Sequence, residues 1–250
     1  MEKIKIGITA GDMNGISLEV ILKALHQDYI FQHVIPIIYG NVKIASYHKN
    51  IVNLDNLSLY VLNQGEKPKA GKINIINCWN DNVTISLGKA SVEGGKYAKL
   101  SLEVALQDIM QGELDAIVTG PINKHAMKLG GFEFNGHTDY LKAKSNSKDI
   151  LMMMVSDKLK VALVTDHIPL SQVSSQLTKS LIASKIQLVD QSLNKDFGIE
   201  KPHIAVLGLN PHAGEEGLLG SEEEEMIRPA IIEAKKNGIF VAGPYSADGF

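Results

Sequence analysis

Short apolar runs alternate with amphipathic stretches along nearly the whole sequence, and this alternation limits the possible folds more than any other feature. Runs rich in β-branched residues favour buried strands, and amphipathic helices between them allow successive strands to lie parallel in one sheet. The predicted strands are residues 4–9, 34–39, 73–76, 116–119, 150–155, 160–165, 204–208 and 239–242. We therefore predict an α/β protein with a largely parallel sheet that helices cover.

Three of the intervening stretches have the spacing of an amphipathic helix. In the first, which begins near Ser91, one stripe is formed by Ala98, Leu102, Ala105, Leu106 and Ile109. The stripe of the second consists of Ile182, Ile186, Val189 and Leu193. In the third, Ser221 and Glu224 have capping-box spacing, and the acidic run 222–225 would lie at the positive end of the helix dipole. Because a residue before proline avoids the α region, Pro229 predicts a kink or the start of a second helix.

Polar clusters follow several predicted strands, at the edge where open α/β sheets bind their ligands. They occupy residues 9–15, 115–124, 135–140, 165–170 and 209–215. The first has two glycines for a tight turn but lacks the third glycine of a dinucleotide fingerprint, so a plain turn and a binding loop both stay open. In the second, a helix N-terminus with Lys124 would suit a phosphate or a carboxylate, and a capped helix with a solvated lysine is the alternative. This repeated placement indicates an enzyme.

Histidines stand in three of these clusters, as His137, His167 and His212. Imidazole is a good ligand for Zn²⁺ and related ions, so each is a candidate for catalysis or metal binding, although a lone histidine more often has a structural role. A catalytic metal site built on His167 and His212 would need a third ligand and an open position for substrate. The remaining histidines, which we predict to be structural or at the surface, are His26, His33, His48, His125 and His203.

Composition excludes several classes of protein. The formal net charge of −3 argues against nucleic acid as a partner, since such partners usually require a basic face. The single cysteine, Cys78, cannot form an intrachain disulfide and suits a reducing compartment. The N-terminal residues do not resemble a signal peptide, and no apolar stretch is long enough to span a bilayer. We therefore expect a cytoplasmic protein with no membrane partner.

Six motifs occur in a recognisable order. They are Gly-Asp-x-x-Gly-Ile at 11–16, Thr-Gly-Pro-Ile-x-Lys at 119–124, Gly-His-Thr-x-Tyr-Leu at 136–141, Thr-x-His-Ile-Pro-Leu at 165–170, Gly-Leu-Asn-Pro-His-Ala-Gly-Glu at 208–215 and Gly-Pro-x-x-Ala-Asp at 243–248. In this order they resemble the 4-hydroxythreonine-4-phosphate dehydrogenase family of vitamin B6 biosynthesis. The resemblance runs from residue 7 to residue 250, and the fourth and fifth motifs are its most specific parts.

The resemblance implies a fold like that of the isocitrate and isopropylmalate dehydrogenases, with two α/β/α subdomains and an active-site cleft between them. We place the first subdomain at residues 1–130, with 240–250 returning to it. The second, at 131–239, would carry the metal-binding histidines and the dimer interface. Members of the family are homodimers in which both subunits contribute residues to each active site.

The implied reaction is the oxidation, by NAD or NADP, of the secondary alcohol of 4-phosphohydroxy-L-threonine. The resulting β-keto acid then loses CO₂ and yields 3-amino-2-oxopropyl phosphate, a precursor in pyridoxal phosphate biosynthesis. The reaction also implies a divalent metal, which could be zinc, magnesium or cobalt. A small phosphorylated compound is therefore the expected substrate.

The matching positions give a set of expected site residues. His167 and His212 match two of the metal-binding histidines of the family, and His137 and Thr138 match its substrate-contacting pair. Asp248 matches an aspartate that maintains the active site, and we assign it to the catalytic residues together with Lys124. No residue is assigned to the nicotinamide cofactor.

The sequence also departs from the family pattern. Met13 and Asn14 replace the usual Pro-Ala, Ser17 and Leu18 replace the usual Gly-Pro, and Gly249 stands where threonine is common. The third metal-binding histidine of the family would lie beyond residue 250, so we expect a C-terminally truncated chain with little or no turnover. Two alternatives stay open, namely a dehydrogenase of threonate or erythronate 4-phosphate and a protein like the phosphate acetyltransferases.

Overall fold

The computed structural model describes residues 3–147 and 149–250, which form two compact units, Met1–Asn146 and Ser147–Phe250. This boundary lies further along the chain than the predicted one at residue 130. The segment 240–250, which was predicted to return to the first subdomain, belongs by its contacts to the second unit. The predicted bounds of the functional subdomains stay a prediction.

The described residues contain strands in both units and helices that connect them. The strands are β1 (Ile4–Thr9), β2 (Val34–Gly40), β3 (Leu59–Val61), β4 (Ile73–Asn77), β5 (Ala116–Thr119), β6 (Met153–Val155), β7 (Lys160–Ala162), β8 (Ile204–Leu207) and β9 (Val241–Tyr245). The α-helices are α1 (Ser17–Leu25), α2 (Ile30–His33), α3 (Val42–Ile51), α4 (Val92–Met110), α5 (Lys124–Leu129), α6 (His137–Lys144), α7 (Val173–Gln176), α8 (Lys179–Lys195) and α9 (Arg228–Lys236). No helix among the described residues has both the length and the apolar character needed to cross a bilayer.

The first unit is built on one parallel sheet with the strand order β3-β4-β2-β1-β5. From β1 the chain moves to β2 on one side and only later returns to β5 on the other side. The strand order therefore reverses at β1, and ligands bind at such points in open α/β sheets. The loops that follow β1 and β5 flank this point, as the polar clusters had predicted.

Helices cover both faces of this sheet because successive residues of a strand point to opposite sides. Ile38 packs with Leu18 of α1 and Ile44 of α3 in the core of one face. Ile37 packs with Ala105 of α4 in the core of the other face. Ser91 caps α4 by accepting the amide of Gly94 at 2.9 Å, so the helix begins where the sequence predicted.

The second unit departs from the predicted parallel sheet. β8 and β9 are parallel, but β6 and β7 form an antiparallel hairpin and are shorter than the predicted strands 150–155 and 160–165. The pairing is antiparallel because only four residues separate the two strands and no crossover helix can lie between them. The predicted helix with the Ile182 stripe is confirmed as α8, which packs on α9 through Ile182, Ile186 and Ile231.

The acidic run opens a helix that changes its geometry at proline. Residues Glu223–Ile227 form a π-helical turn, and α9 then begins at Arg228 with Pro229 in its first turn. The prediction of a new helix at Pro229 is confirmed, since a proline in a first turn lacks only an amide that would have no helical partner there. The predicted capping box was wrong, because Glu224 binds the guanidinium of Arg228 instead.

Candidate active site

The loop that follows β1 is fastened to the loop that follows β5. The amide of Asp12 donates to the carbonyl of Pro121 at 2.9 Å, and the amide of Gly120 donates to the carbonyl of Thr9 at 3.2 Å and to its hydroxyl at 3.0 Å. A Cβ on Gly11, where φ is +63°, would lie 2.3 Å from the carbonyl oxygen of Pro121. Only glycine permits this approach, so the two loops form one surface at the end of the sheet.

Asn14 extends this surface to the start of α4. The amide of Asn14 donates to Asp12 Oδ1 at 2.9 Å, and both side chains are buried. The side-chain oxygen of Asn14 accepts the amide of Ser86 at 2.8 Å, and its NH₂ group donates to the hydroxyl of Ser91 at 3.0 Å. One of the residues that depart from the family pattern therefore joins three segments of the candidate site.

His48 contacts the same loop at the backbone of Met13. Its ring is buried, and Nε2 lies 2.8 Å from the carbonyl oxygen of Met13. Burial lowers the pKa of His48, which keeps the ring neutral at neutral pH, although the carbonyl of Met13 and the carboxylates of Glu19 and Asp12 act in the opposite direction. His48 is therefore a structural residue of the site and does not lie at the surface.

Lys124 and His137, two of the expected site residues, lie close together in the first unit. Lys124 is the exposed first residue of α5, and its Cε lies 3.9 Å from the position that a Cβ on Gly136 would occupy. Gly136 precedes α6 and provides no side-chain cap, and α6 begins with His137 and the half-buried Thr138. Burial lowers the pKa of His137. An uncapped helix start beside an ammonium group suits an anion.

His167 lies in the second unit, in the segment between β7 and the 3₁₀ turn Leu170–Gln172. Its side chain is exposed, and its backbone is left-handed with φ at 52°. The sequence had predicted that this cluster follows directly on a strand, but β7 ends at Ala162. His167 therefore sits in an irregular loop some way past the strand end.

His212 is paired with Asp248, the other residue that the resemblance singled out in this unit. The ring nitrogen Nδ1 of His212 lies 2.8 Å from Oδ2 of Asp248, and the amide of His212 donates to Oδ1 at 3.1 Å. The hydroxyl of Ser246 also donates to this carboxylate. The hydrogen bonds from Ser246 and from the His212 backbone lower the pKa of Asp248 to about 2, so the carboxylate is ionised at neutral pH.

This arrangement fits one ligand of a metal site. Histidines that bind metals usually donate their second ring N–H to a carboxylate or carbonyl, which fixes the tautomer and leaves the other nitrogen for the ion. In His212 the free nitrogen is Nε2. Across residues 3–147 and 149–250, however, no group of three or more His, Cys, Asp or Glu side chains is arranged to hold a metal ion. A metal on His212 therefore needs further ligands.

Sequence reasoning missed Glu223, which is 1% exposed and accepts hydrogen bonds from the loop that carries His212. It had been read only as part of an acidic helix start. A signal was present in the sequence, because the apolar stripe of α9 reaches position 223 when it is extended backwards by one turn. That stripe consists of Ile227, Ala230, Ile231 and Ala234. A carboxylate at a core position needs partners.

Comparison with known proteins finds a matching family and similar proteins that are named as dehydrogenases. The family model described as pyridoxal phosphate biosynthetic protein PdxA matches residues 32–250. A 4-hydroxythreonine-4-phosphate dehydrogenase of Bacteroides thetaiotaomicron is 42% identical over 249 residues, which cover 99% of this chain and 68% of the relative. A protein of Oceanobacillus iheyensis, provisionally named D-threonate 4-phosphate dehydrogenase, is 36% identical over 247 residues, covering 97% of this chain and 74% of its own length.

A solved structure agrees with these sequences. The crystal structure of a 4-hydroxythreonine-4-phosphate dehydrogenase from Burkholderia phymatum superposes with a TM-score of 0.85 at 32% identity. The match covers 100% of this chain and 76% of that one. The predicted fold class, that of the isocitrate and isopropylmalate dehydrogenases, is thereby confirmed.

Proposed function

The chain belongs to the PdxA family of pyridoxal phosphate biosynthetic proteins, and on that premise we propose that it oxidises the secondary alcohol of 4-hydroxythreonine 4-phosphate. The carbinol hydrogen passes as a hydride to NAD⁺ or NADP⁺, and the hydroxyl hydrogen leaves as a proton. The resulting β-keto acid loses CO₂ and gives 3-amino-2-oxopropyl phosphate. The observation that carries this proposal is the likeness, over nearly the whole chain, to the Bacteroides protein of that name.

We assign His212 and His167 to a divalent metal, which would be zinc, magnesium or cobalt. The support for His212 is its pairing with Asp248, which directs Nε2 away from the carboxylate. A bound divalent cation would supply polarisation of the substrate hydroxyl. Asp248 acts through His212, because it accepts the Nδ1–H hydrogen bond and so holds the ring in one tautomer and orientation.

We assign the phosphate of the substrate to the start of α6. His137 and Thr138 open this helix, and the first amides of the helix favour a negative charge. Lys124 adds a positive charge beside Gly136 and would neutralise a phosphate. His137 is kept neutral by burial, so its ring can both donate and accept a hydrogen bond to substrate.

A second candidate substrate is D-threonate 4-phosphate, because a relative that is 36% identical is provisionally named for it. The two compounds share the phosphate and the oxidised hydroxyl and differ at the carbon that carries an amino or a hydroxyl group. None of the residues assigned above is specific for that difference. Acyl transfer, the third alternative, is disfavoured because the named relatives are dehydrogenases.

We also propose a homodimer with shared active sites, located in the cytoplasm. The support for the homodimer is the membership of the chain in this family. The single half-buried cysteine suits a reducing compartment. Light scattering of the purified chain tests the homodimer, since a monomer at all concentrations would contradict that proposal.

The test of the reaction compares the two phosphorylated acids. The purified chain is supplied with NAD⁺ or NADP⁺ and Zn²⁺, reduced nicotinamide is followed by absorbance, and the product is identified by mass spectrometry. Binding of each acid is measured separately by calorimetry, so that the two acids can be compared even if turnover is low. We expect 4-phosphohydroxy-L-threonine to be the preferred acid, since the relative named for it is 42% identical and the relative named for D-threonate 4-phosphate is 36% identical. The reverse preference, or binding of neither acid, would contradict the proposal.

A further inference from the structure

Glu223 is a carboxylate in an apolar environment. It is 1% exposed and begins the π-helical turn Glu223–Ile227, on the side that Ile227 and Ile231 share with the core of the second unit. A charged group in such a place persists only when hydrogen bonds replace the water that it has lost. Its partners therefore indicate why the residue is there.

All of these partners lie in the loop that carries His212. The Oε1 atom of Glu223 accepts the amides of Leu209 and Asn210, each at 2.8 Å, and Oε2 accepts the side-chain NH₂ group of Asn210 at 2.9 Å. Burial alone would raise the pKa of Glu223, but these hydrogen bonds lower it below the ordinary value. The carboxylate is thus ionised, and the bonds are of the strong, charge-assisted kind.

The loop closes around the carboxylate from both ends. A Cβ on Gly208 would lie 3.1 Å from Oε1 of Glu223, and a Cβ on Gly214 would lie 2.8 Å from Oε2. Gly214 also has φ at +80°, so a side chain there would be strained in any case. The glycines at the two ends of the segment 208–214 therefore allow the backbone to wrap around Glu223, with His212 between them.

The wrapped backbone has an unusual conformation. His212, Ala213, Gly214, Glu215 and Glu216 have φ values of 52°, 52°, 80°, 42° and 56°. Consecutive left-handed residues with side chains are disfavoured and persist only where the surroundings hold them. Glu223 holds the segment just before His212, and Asp248 holds the amide and the ring of His212 itself. The carboxylates of Glu223 and Asp248 therefore hold the loop on either side of the His212 imidazole.

A third carboxylate, that of Glu222, also binds the loop that carries His212. Glu222 accepts the side-chain NH₂ group of Asn210 at 2.8 Å and the hydroxyl of Ser174 at 2.5 Å. The amide of Gly208 donates to the carbonyl of Tyr245 at 2.8 Å, which ties the start of the loop to the strand that leads to Asp248. The loop therefore has little freedom to turn away from Asp248.

We propose that Glu223 is a positioning residue that sets the backbone of the 208–214 loop so that the imidazole of His212 meets Asp248 and presents Nε2 to a metal. The metal part of this inference rests on the proposed function of His212. The orientation and tautomer of the ring do not, because they follow from the contacts of Glu223 and Asp248 alone.

The test compares Glu223→Gln with Glu224→Gln. The first variant keeps the size of the side chain but replaces one accepting oxygen by a donor, which would oppose the NH₂ group of Asn210. The second makes the same change at the neighbouring residue, which is exposed and binds Arg228. Long-range ¹H–¹⁵N spectra of histidine-labelled protein report the His212 tautomer, and calorimetry with Zn²⁺ against a competing chelator reports metal affinity.

For the wild type and Glu224→Gln, we expect His212 to carry its proton on Nδ1. In Glu223→Gln we expect that single tautomer to be lost and Zn²⁺ affinity to fall about 10- to 100-fold, as for other residues that orient a metal ligand. Should Glu223→Gln fail to fold, Asn210→Ala takes its place with a smaller expected loss, because both backbone bonds to Glu223 remain.

A Glu223→Gln protein that melts at a lower temperature but keeps the Nδ1–H tautomer and the wild-type Zn²⁺ affinity would overturn the inference, because Glu223 would then serve only the fold. Failure of the wild type to bind Zn²⁺ would instead count against the proposed metal function. In that case the tautomer comparison still decides the positioning role of Glu223.

Discussion

Nδ1 of His212 lies 2.8 Å from Oδ2 of Asp248, although 35 residues separate the two in the chain. Because Asp248 is ionised and can only accept, Nδ1 of His212 must carry a proton, and in a neutral ring the free lone pair then lies on Nε2. A neutral ring in this tautomer is the form in which histidine binds metals. The contact thus joins two residues that the sequence had singled out separately.

Replacement of Asp248 by asparagine should loosen this pair. The amide oxygen of Asn can still accept a hydrogen bond but carries no charge, so we expect Asp248→Asn to bind Zn²⁺ about tenfold more weakly. Calorimetry gives the affinity. Asp196→Asn is the matched control, since Asp196 is an exposed carboxylate that also accepts a serine hydroxyl. Equal losses in the two variants would mean that overall charge, and not the pairing, is responsible.

Asn14 should be required for the order of the segment before α4. Asn14→Ala removes the acceptor of the Ser86 amide and the donor to the Ser91 hydroxyl, two hydrogen bonds in a partly buried environment. We expect the free energy of unfolding to fall by about 1–3 kcal/mol. Hydrogen exchange should become faster at Ser86 and Gly88. Asn82→Ala, at an exposed position, should change neither quantity, and protection of Ser86 in both variants would disprove the role of Asn14.

Gly95 should be indispensable for the contact between α4 and α5, the helix that begins with Lys124. A Cβ on Gly95 would lie 1.8 Å from the carbonyl oxygen of Ala126. Alanine gains about 1 kcal/mol of helix propensity, but the backbone clash costs more, so we expect Gly95→Ala to lose about 2 kcal/mol net. Gly94→Ala is the comparison, because its Cβ would meet only side-chain atoms at 3.1 Å or more. Urea unfolding that finds the first variant as stable as the second would show that the helices can separate at little cost.

His48 should make the protein less stable in weak acid. Its pKa is lowered in the folded state, mainly by burial, so between that value and the ordinary value of about 6.5 the unfolded chain binds more protons. Stability from neutral His48 is therefore present above pH 6.5 or so and is lost as the pH falls through the folded-state pKa. His137 has a shift in the same direction, so the wild type alone cannot isolate His48.

The measurement is the free energy of unfolding at a series of pH values for the wild type and His48→Gln. Glutamine is neutral throughout and can still donate to the carbonyl of Met13, so we expect a shallower decline between neutral pH and pH 5. His26→Gln, at an exposed position, should follow the wild type. Parallel curves for the wild type and His48→Gln would refute the assignment.

Much of the first unit could be predicted from sequence, because local patterns determine it. The strand at residues 4–9 has the same limits in the structure, and Ser91 is the cap of α4 as predicted. β3 was missed, since it has only three half-buried residues and no alternation to reveal it. The antiparallel orientation of β6 and β7 was not predicted, because strand propensity alone does not state which way two strands pair.

The candidate site could be predicted only as separate motifs. The order of the motifs brought His212 and Asp248 to attention, but their contact depends on the pairing of β8 and β9, which no local pattern specifies. Glu223 was hidden within an acidic run of which Glu224 and Glu225 are exposed, and its partners lie at residues 209 and 210 on a different element. Long-range contacts of this kind appear only once the chain is folded.

Zinc binding by His212 tests the central claim most directly. Zn²⁺ affinity is measured by calorimetry on the wild type, on His212→Ala and on His203→Ala, an exposed histidine of the same unit that serves as control. We predict that the wild type and His203→Ala bind Zn²⁺ alike and that His212→Ala binds it at least about tenfold more weakly, a loss of about 1.4 kcal/mol or more. Equal affinity in all three proteins would contradict the assignment of His212 as a metal ligand.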